Sequence, residues 1–190
     1  MRTAILDACV LYPAPLRDLL MMLGTHCPVA IRWSNLIHDE WTGSLLKNRP
    51  DLQEIQLERT KALMDRALPD ALVTGFEDHI NAVSLPDPND RHVLAAAIKA
   101  HADTIVTWNV KDFPAKTLKA HGLIRQTPDA FVMDILMAHE DLAIDAIKTM
   151  RQRLKSPPRT IDELLHEFKI QGLNHVVAYF LSAPTLKSRL

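Results

Sequence analysis

The sequence predicts an α/β fold with a mainly parallel central sheet flanked by helices, followed by an all-helical extension. Two observations carry this. Over roughly the first 125 residues, short apolar runs alternate with amphipathic stretches, the order expected when crossover helices join parallel strands. From Pro128 onward the apolar period is helical only. The 190 residues therefore divide into a sheet domain, 1–127, and a helical extension, 128–190.

The elements follow in order. Residues 3–6 form a short apolar run halted by Asp7, the first strand. Residues 15–23 carry Leu16, Leu19, Leu20 and Leu23 on one helical stripe, with Gly24 as the stop. Residues 29–31 are a weaker strand. Ser34 suits the N-cap of a helix reaching Lys47, and Pro50 with Asp51 opens another that runs to Leu68. Residues 71–74 read as a strand, 77–83 as a short helix, and a helix opening at Asp87-Pro88 ends near Ala100. Residues 103–107, with T-I-V-T at their centre, are the clearest strand. Residues 114–121 are helical and 122–125 are the last strand. In the extension, 128–154 read as one amphipathic helix containing Phe131, Ile135, Leu142 and Ile147. The S-P-P-R stretch at 156–159 breaks it, Thr160 with Glu163 forms a capping box, and 175–181 make a further short helix.

Composition excludes several classes of function. The chain is 47% apolar and 24% charged, enough for an unaided core, and its net charge of −1 gives no global field for nucleic acid. Two cysteines, Cys9 and Cys27, are too few for a disulfide framework or a structural zinc cluster. With no signal peptide or membrane span visible, a cytoplasmic protein is expected. The nine histidines show no H-E-x-x-H pairing. G-x-S-x-G, Walker A and G-x-G-x-x-G loops are missing from the sequence, as is the D-x-D after strand one that a haloacid-dehalogenase-type phosphatase needs.

The acids are more informative. Ligands of parallel sheets bind beyond the carboxyl ends of the strands. Asp7 directly follows the first strand, and Asn109 and Asp112, in T-W-N-V-K-D-F, follow the T-I-V-T strand. Asp87 and Asp90 open the helix that leads into that strand. Asp87 before Pro88 reads as an N-cap. Asp90 shares a stripe with Leu94 and Ala97, which points it inward, where a mere capping charge would face water. Glu40 follows Leu36 by four and Ile37 by three, which places it on the apolar side of its helix, while Asp39 faces solvent. Each acid alone has an ordinary structural reading as a cap or turn residue. Together they suit Mg²⁺ or Mn²⁺, which prefer oxygen ligands and neutralise clustered carboxylates.

L-D-A-C-V-L-Y-P, the helical Glu40, D-P-N-D-R-H-V-L-A-A-A and T-W-N-V-K-D-F-P occur in this order. With them the chain resembles the PIN-domain nucleases, and most closely the VapC-type ribonuclease toxins of type II toxin–antitoxin systems. The resemblance covers residues 1–125 and implies a PIN-like three-layer fold. It implies a Mg²⁺- or Mn²⁺-dependent endoribonuclease in which Asp7, Glu40 and Asp90 hold the metal and a metal-activated water attacks the phosphodiester. The fourth position falls on Asn109, an amide where the family has an acid, so Asp112 is the alternative source of charge. Asp87 and Thr107 match supporting positions behind the ligands. The extension, with R-T-I-D-E-L-L and Q-G-L, is similar to a helical C-terminal segment of some of these toxins. The implied partners are RNA and a small cognate antitoxin, with a homodimer as a further expectation and no membrane.

RNA needs positive groups. Lys148, Arg151, Arg153, Lys155 and Arg159 form a run without an acid, and Arg91 and His92 stand beside the cluster. A solvated helix face explains the run equally well. Trp33, Trp41 and Trp108 lie near the motifs, where base stacking competes with ordinary packing. Two other classes compete with a ribonuclease: a catalytically weak PIN-like module that binds RNA or protein, and a structure-specific DNA nuclease.

Overall fold

The computed structural model describes residues 2–190. Strands β1 (Arg2–Leu6), β2 (Val29–Ser34), β3 (Leu72–Val73), β4 (Thr104–Val106) and β5 (Ile124–Gln126) form one sheet in the order β3-β2-β1-β4-β5. Every neighbouring pair is parallel, which establishes the α/β expectation. β1 is central, and Ala4, Ile5 and Leu6 are all fully buried, the unbroken apolar run of a strand covered on both faces. The chain leaves β1 toward β2 on one side and returns to β4 on the other, so a crevice opens beyond the carboxyl ends of β1 and β4.

The connecting helices are α1 (Ala8–Leu11), α2 (Ala14–His26), α3 (Asn35–Asn48), α4 (Glu54–Ala67), α5 (Glu77–Ile80), α6 (Arg91–Lys99) and α7 (Ala115–Lys119). The extension contains α8 (Pro128–Ala138), α9 (Glu140–Arg153), α10 (Ile161–Ile170), α11 (Asn174–Ser182) and α12 (Pro184–Lys187). Ser34 caps α3 by accepting from the Ile37 N–H at 3.2 Å, and Thr160 with Glu163 makes the reciprocal cap of α10.

Several boundaries differ from the sequence reading: β2 runs on to Ser34, α5 ends at Ile80, and three further differences have a clear physical cause. Gly24 does not stop α2, which runs two residues past it; a Cβ there would stand 2.9 Å from Leu68 Cδ1 and 3.1 Å from Ile31 Cδ1. The glycine serves close packing of the helix. α4 begins at Glu54, because Leu52 N–H closes a turn onto Arg49 O and Gln53 and Gln56 cap each other. Residues 128–154 are two helices, separated at His139 (φ −144°, ψ 52°) just before the acidic first turn of α9.

The helices from Pro128 share their core with the sheet domain. α9 packs along α2, α11 packs on α8 and α10, and Phe131, Phe168 and Phe180 belong to the same buried cluster as Ile5, Leu20 and Trp33. Among the described residues, no helix is long and apolar enough to cross a membrane.

Candidate active site

Asp7 leaves the end of β1 with its N–H bonded to Val106 O at 3.0 Å, so it is fixed to the last residue of β4. It is only 1% exposed. Two donors meet on its Oδ2: the Thr107 hydroxyl at 2.6 Å and the Cys9 thiol at 3.1 Å. Each donor is itself held by the backbone of the next loop. Thr107 Oγ1 accepts from the Asn109 N–H at 2.8 Å, and Cys9 Sγ from the Trp108 N–H at 3.4 Å. Burial raises the Asp7 carboxyl above the usual carboxylate range, against the pull of these two donors, and the charge of Glu40 adds to the rise. Burial also pushes the Cys9 thiol up to about 12, so it remains an S–H donor. Sequence reasoning had used Cys9 only to exclude other chemistries. The signal available was a thiol two residues after a strand-end acid.

Asp90 ends a 3-10 turn, Pro88–Asp90, from which α6 continues. It is buried with Leu94 and Ala97, as their shared stripe requires. Burial first, then the charges of Asp7, Asp87, Asp112 and Glu40, pushes its carboxyl up to about 7. Asp87 caps the turn, its Oδ1 accepting from the Asn89 N–H at 2.8 Å. In the T-W-N-V-K-D-F segment, Asn109 is exposed and its carbonyl accepts from the Asp112 N–H at 3.0 Å. Asp112 is half-buried and supplies the charge of this segment that reaches Asp90.

Glu40 corrects the sequence reading. α3 buries Ile37, His38, Trp41 and Thr42, whereas Leu36 is 41% exposed and the Glu40 side chain 46% exposed. An offset from Leu36 therefore marked no inward face. Glu40 still faces the cluster from across the crevice, where its Oε2 lies 3.2 Å from His92 Nε2. Between Glu40 and Cys9 opens a cleft of about 260 Å³, also lined by Ala8, Tyr12, Trp41 and Ser44.

Other candidates divide. His92 Nδ1 and Arg91 Nε are buried without a hydrogen-bond partner beside Asp90. Trp33 and Trp41 are not available to stack a base: both are buried, and they belong to a polar chain in the core. Trp41 Nε1 donates to His38 Nδ1 at 3.0 Å, while His38 Nε2, at 3.2 Å, and Trp33 Nε1, at 2.8 Å, both meet Asp65 Oδ1. Because His38 Nδ1 accepts from the indole, the ring proton sits on Nε2 and faces Asp65, and burial lowers the His38 pKa in the same sense. The basic run makes no contact with the acids among the described residues. Arg151 is turned onto the Leu190 and Arg159 carbonyls and Arg153 onto Met22 Sδ, while Lys155 is exposed.

Among the described residues, no three carboxylate, imidazole or thiol groups stand close enough to share an ion as placed. The donor set nonetheless fits a hard divalent cation. It is made of carboxylates from the end of β1 (Asp7), α3 (Glu40), the turn before α6 (Asp90) and the loop after β4 (Asp112), and their mutual repulsion at Asp90 is what such an ion relieves.

Acids beyond the carboxyl ends of adjacent strands β1 and β4 of a β3-β2-β1-β4-β5 parallel sheet define an open α/β protein with an acid-lined crevice. Residues 3–111 match the family model described as PIN domain, and the chain belongs to the PIN-domain family. Residues 128–181 match the model described as VapC50 C-terminal domain. Over 98 residues the chain is 38% identical to "Putative ribonuclease VapC50" of Mycobacterium tuberculosis, a match covering 52% of this chain and 57% of that protein. The chain thus spans little more than half the length of this curated relative. No solved structure matches.

Proposed function

We propose that the chain is a Mg²⁺- or Mn²⁺-dependent endoribonuclease toxin that hydrolyses RNA phosphodiester bonds and is neutralised by a small cognate antitoxin. One observation carries the reading: Asp90, buried where the Pro88–Asp90 turn passes into α6, feels the charges of Asp7, Asp87, Asp112 and Glu40 together. Asp7, Glu40, Asp90 and Asp112 would hold the cation. When bound, such a cation would supply positive charge for the phosphate oxygens and lower the pKa of water for in-line attack. Thr107 and Cys9 fix the orientation of Asp7, so its carboxylate needs no rearrangement on binding. His92, 3.2 Å from Glu40 Oε2, and Arg91 beside it would be the phosphate contacts. The name of the relative and the match at 128–181 support the toxin reading.

Purified protein should cleave single-stranded or loop RNA in Mg²⁺ or Mn²⁺ and stop in chelator. Asp90→Asn and Asp7→Asn should each lose at least roughly tenfold to a hundredfold of the rate, the range for disturbing metal-holding groups. An Asp90→Asn cleavage pattern identical to wild type would sink the enzyme reading. Asn109 in place of an acid, with no three donors yet closed around one point, favours a weakly catalytic RNA- or protein-binding module as the second reading. Metal-independent RNA binding without cleavage would select it, and cleavage of DNA alone would select the DNA-nuclease alternative.

A further inference from the structure

The C-terminal helices approach the acid site at Trp108. The turn between α10 and α11 passes over Trp108, which directly follows Thr107. In that turn Gly172 has φ +81°, and a Cβ there would stand 3.0 Å from Trp108 Cη2 and 3.4 Å from Cζ2. The indole edge therefore rests on glycine backbone. On its other side the same residue enters the site. The Trp108 N–H donates to Cys9 Sγ and the Asn109 N–H to Thr107 Oγ1, and these two groups are the donors to Asp7 Oδ2. Two consecutive backbone N–H groups thus orient the thiol and the hydroxyl that orient Asp7. A displacement of residues 108–109 would disturb both at once.

We propose that Gly172 and Trp108 are positioning residues: the extension clamps the 108–109 backbone, and Cys9 and Thr107 transmit its position to Asp7. This rests on the divalent-cation reading above. It assigns the extension a role in the site that core packing alone does not give it. Gly172 also closes α10, with Gly172 N–H on Lys169 O at 3.0 Å and Leu173 N–H on Phe168 O at 2.9 Å. The decisive substitution must therefore keep the left-handed backbone while adding a Cβ against the indole. Gly172→Asn does this, since asparagine tolerates that conformation.

The experiment measures Mn²⁺ affinity of the full chain by the electron paramagnetic resonance signal of free Mn²⁺, with melting temperature in chelator recorded in parallel. Gly172→Asn and Cys9→Ala should each weaken Mn²⁺ binding by roughly tenfold or more, the usual cost of losing an outer contact to a ligand. Because they act through one chain of contacts, the double variant should lose less than the product of the two single losses. Mn²⁺ affinity within twofold of wild type in both single variants overturns the proposal, whatever their melting temperatures. Multiplicative losses overturn the shared route. Wild type that binds no Mn²⁺ overturns the cation reading itself and the clamp with it. Should Gly172→Asn fail to fold, Trp108→Phe takes its place, since the shorter ring gives up the contact with Gly172 while the backbone N–H remains.

Discussion

At Asp90, burial and four neighbouring carboxylates act in the same direction, and the consequence can be read without any activity assay. The carboxyl is pushed up to about 7 in the folded chain, against about 3.9 when unfolded. The fold therefore binds a proton that the unfolded chain has released between these values. The resulting stabilisation is complete below about pH 4 and is lost as pH rises through about 7. In chelator, the melting temperature of wild type should fall between pH 5 and pH 8, and Asp90→Asn should fall less and exceed wild type at pH 8. Added Mn²⁺ should reverse that order at pH 8, because the ionised carboxylate is the form that holds a cation. Differential scanning calorimetry of the two proteins at both pH values checks this. An Asp90→Asn protein that melts below wild type at pH 8 in chelator would show that Asp90 serves the fold in its ionised form. Asp7, also raised by burial, shifts wild-type stability the same way.

Among elements, the helix starts separate what is local from what is not. α11 has Leu173 at its N-cap, which offers no side-chain acceptor, and the cap comes instead from Asp129 in the first turn of α8. The buried Asp129 carboxylate accepts from the His175 N–H at 3.0 Å, the Val176 N–H at 3.1 Å and the His175 ring at 2.6 Å. Asp129→Ala should cost about 1–3 kcal/mol, since it leaves the N–H groups of a docked helix unsatisfied. Urea titration followed by circular dichroism measures it, and a loss under about 0.5 kcal/mol would place α11's anchorage elsewhere. Sequence reading reached the caps written into adjacent residues, Ser34 before α3 and Thr160 with Glu163 in α10, and it reached the buried central strands. It did not reach Asp129 capping α11 across 46 residues, or Gly24 making room for Leu68, because those partners meet only in the folded chain. The site divides in the same way. Asp7 and Asp90 were legible from strand ends and a helical stripe. The orientation of Glu40 was not, since α3 is buried along Ile37, His38 and Trp41 and not along Leu36.

On the scale of the whole molecule, the two sequence regions are joined by apolar surface that neither can spare. Leu16, Leu19, Leu20 and Leu23 of α2 are fully buried, and the helix that packs along α2 is α9, whose Ala143, Ile144, Ala146, Ile147 and Met150 are buried in turn. Phe131 and Val132 of α8 are also fully buried. Removing residues 128–190 would strip α9 from α2 and α8 from β5, and each large apolar side chain returned to water forfeits about 1.5–3 kcal/mol. Several such losses equal the whole stability of an ordinary domain, about 5–15 kcal/mol. A chain ending at residue 127 is therefore expected to lose cooperative thermal unfolding and to elute as aggregate on size exclusion, although every acid of the site is present in it. Substituting Ile144 and Ile147 together by Asp in the full chain should give the same outcome with the length unchanged, because two unpaired charges would be forced into the core where α9 packs. A 1–127 fragment that is monomeric and melts in one sharp transition would mean that the sheet domain closes its own core. The effect of Gly172→Asn on Mn²⁺ binding would then be carried by the contact of Gly172 with Trp108 and not by loss of a shared core.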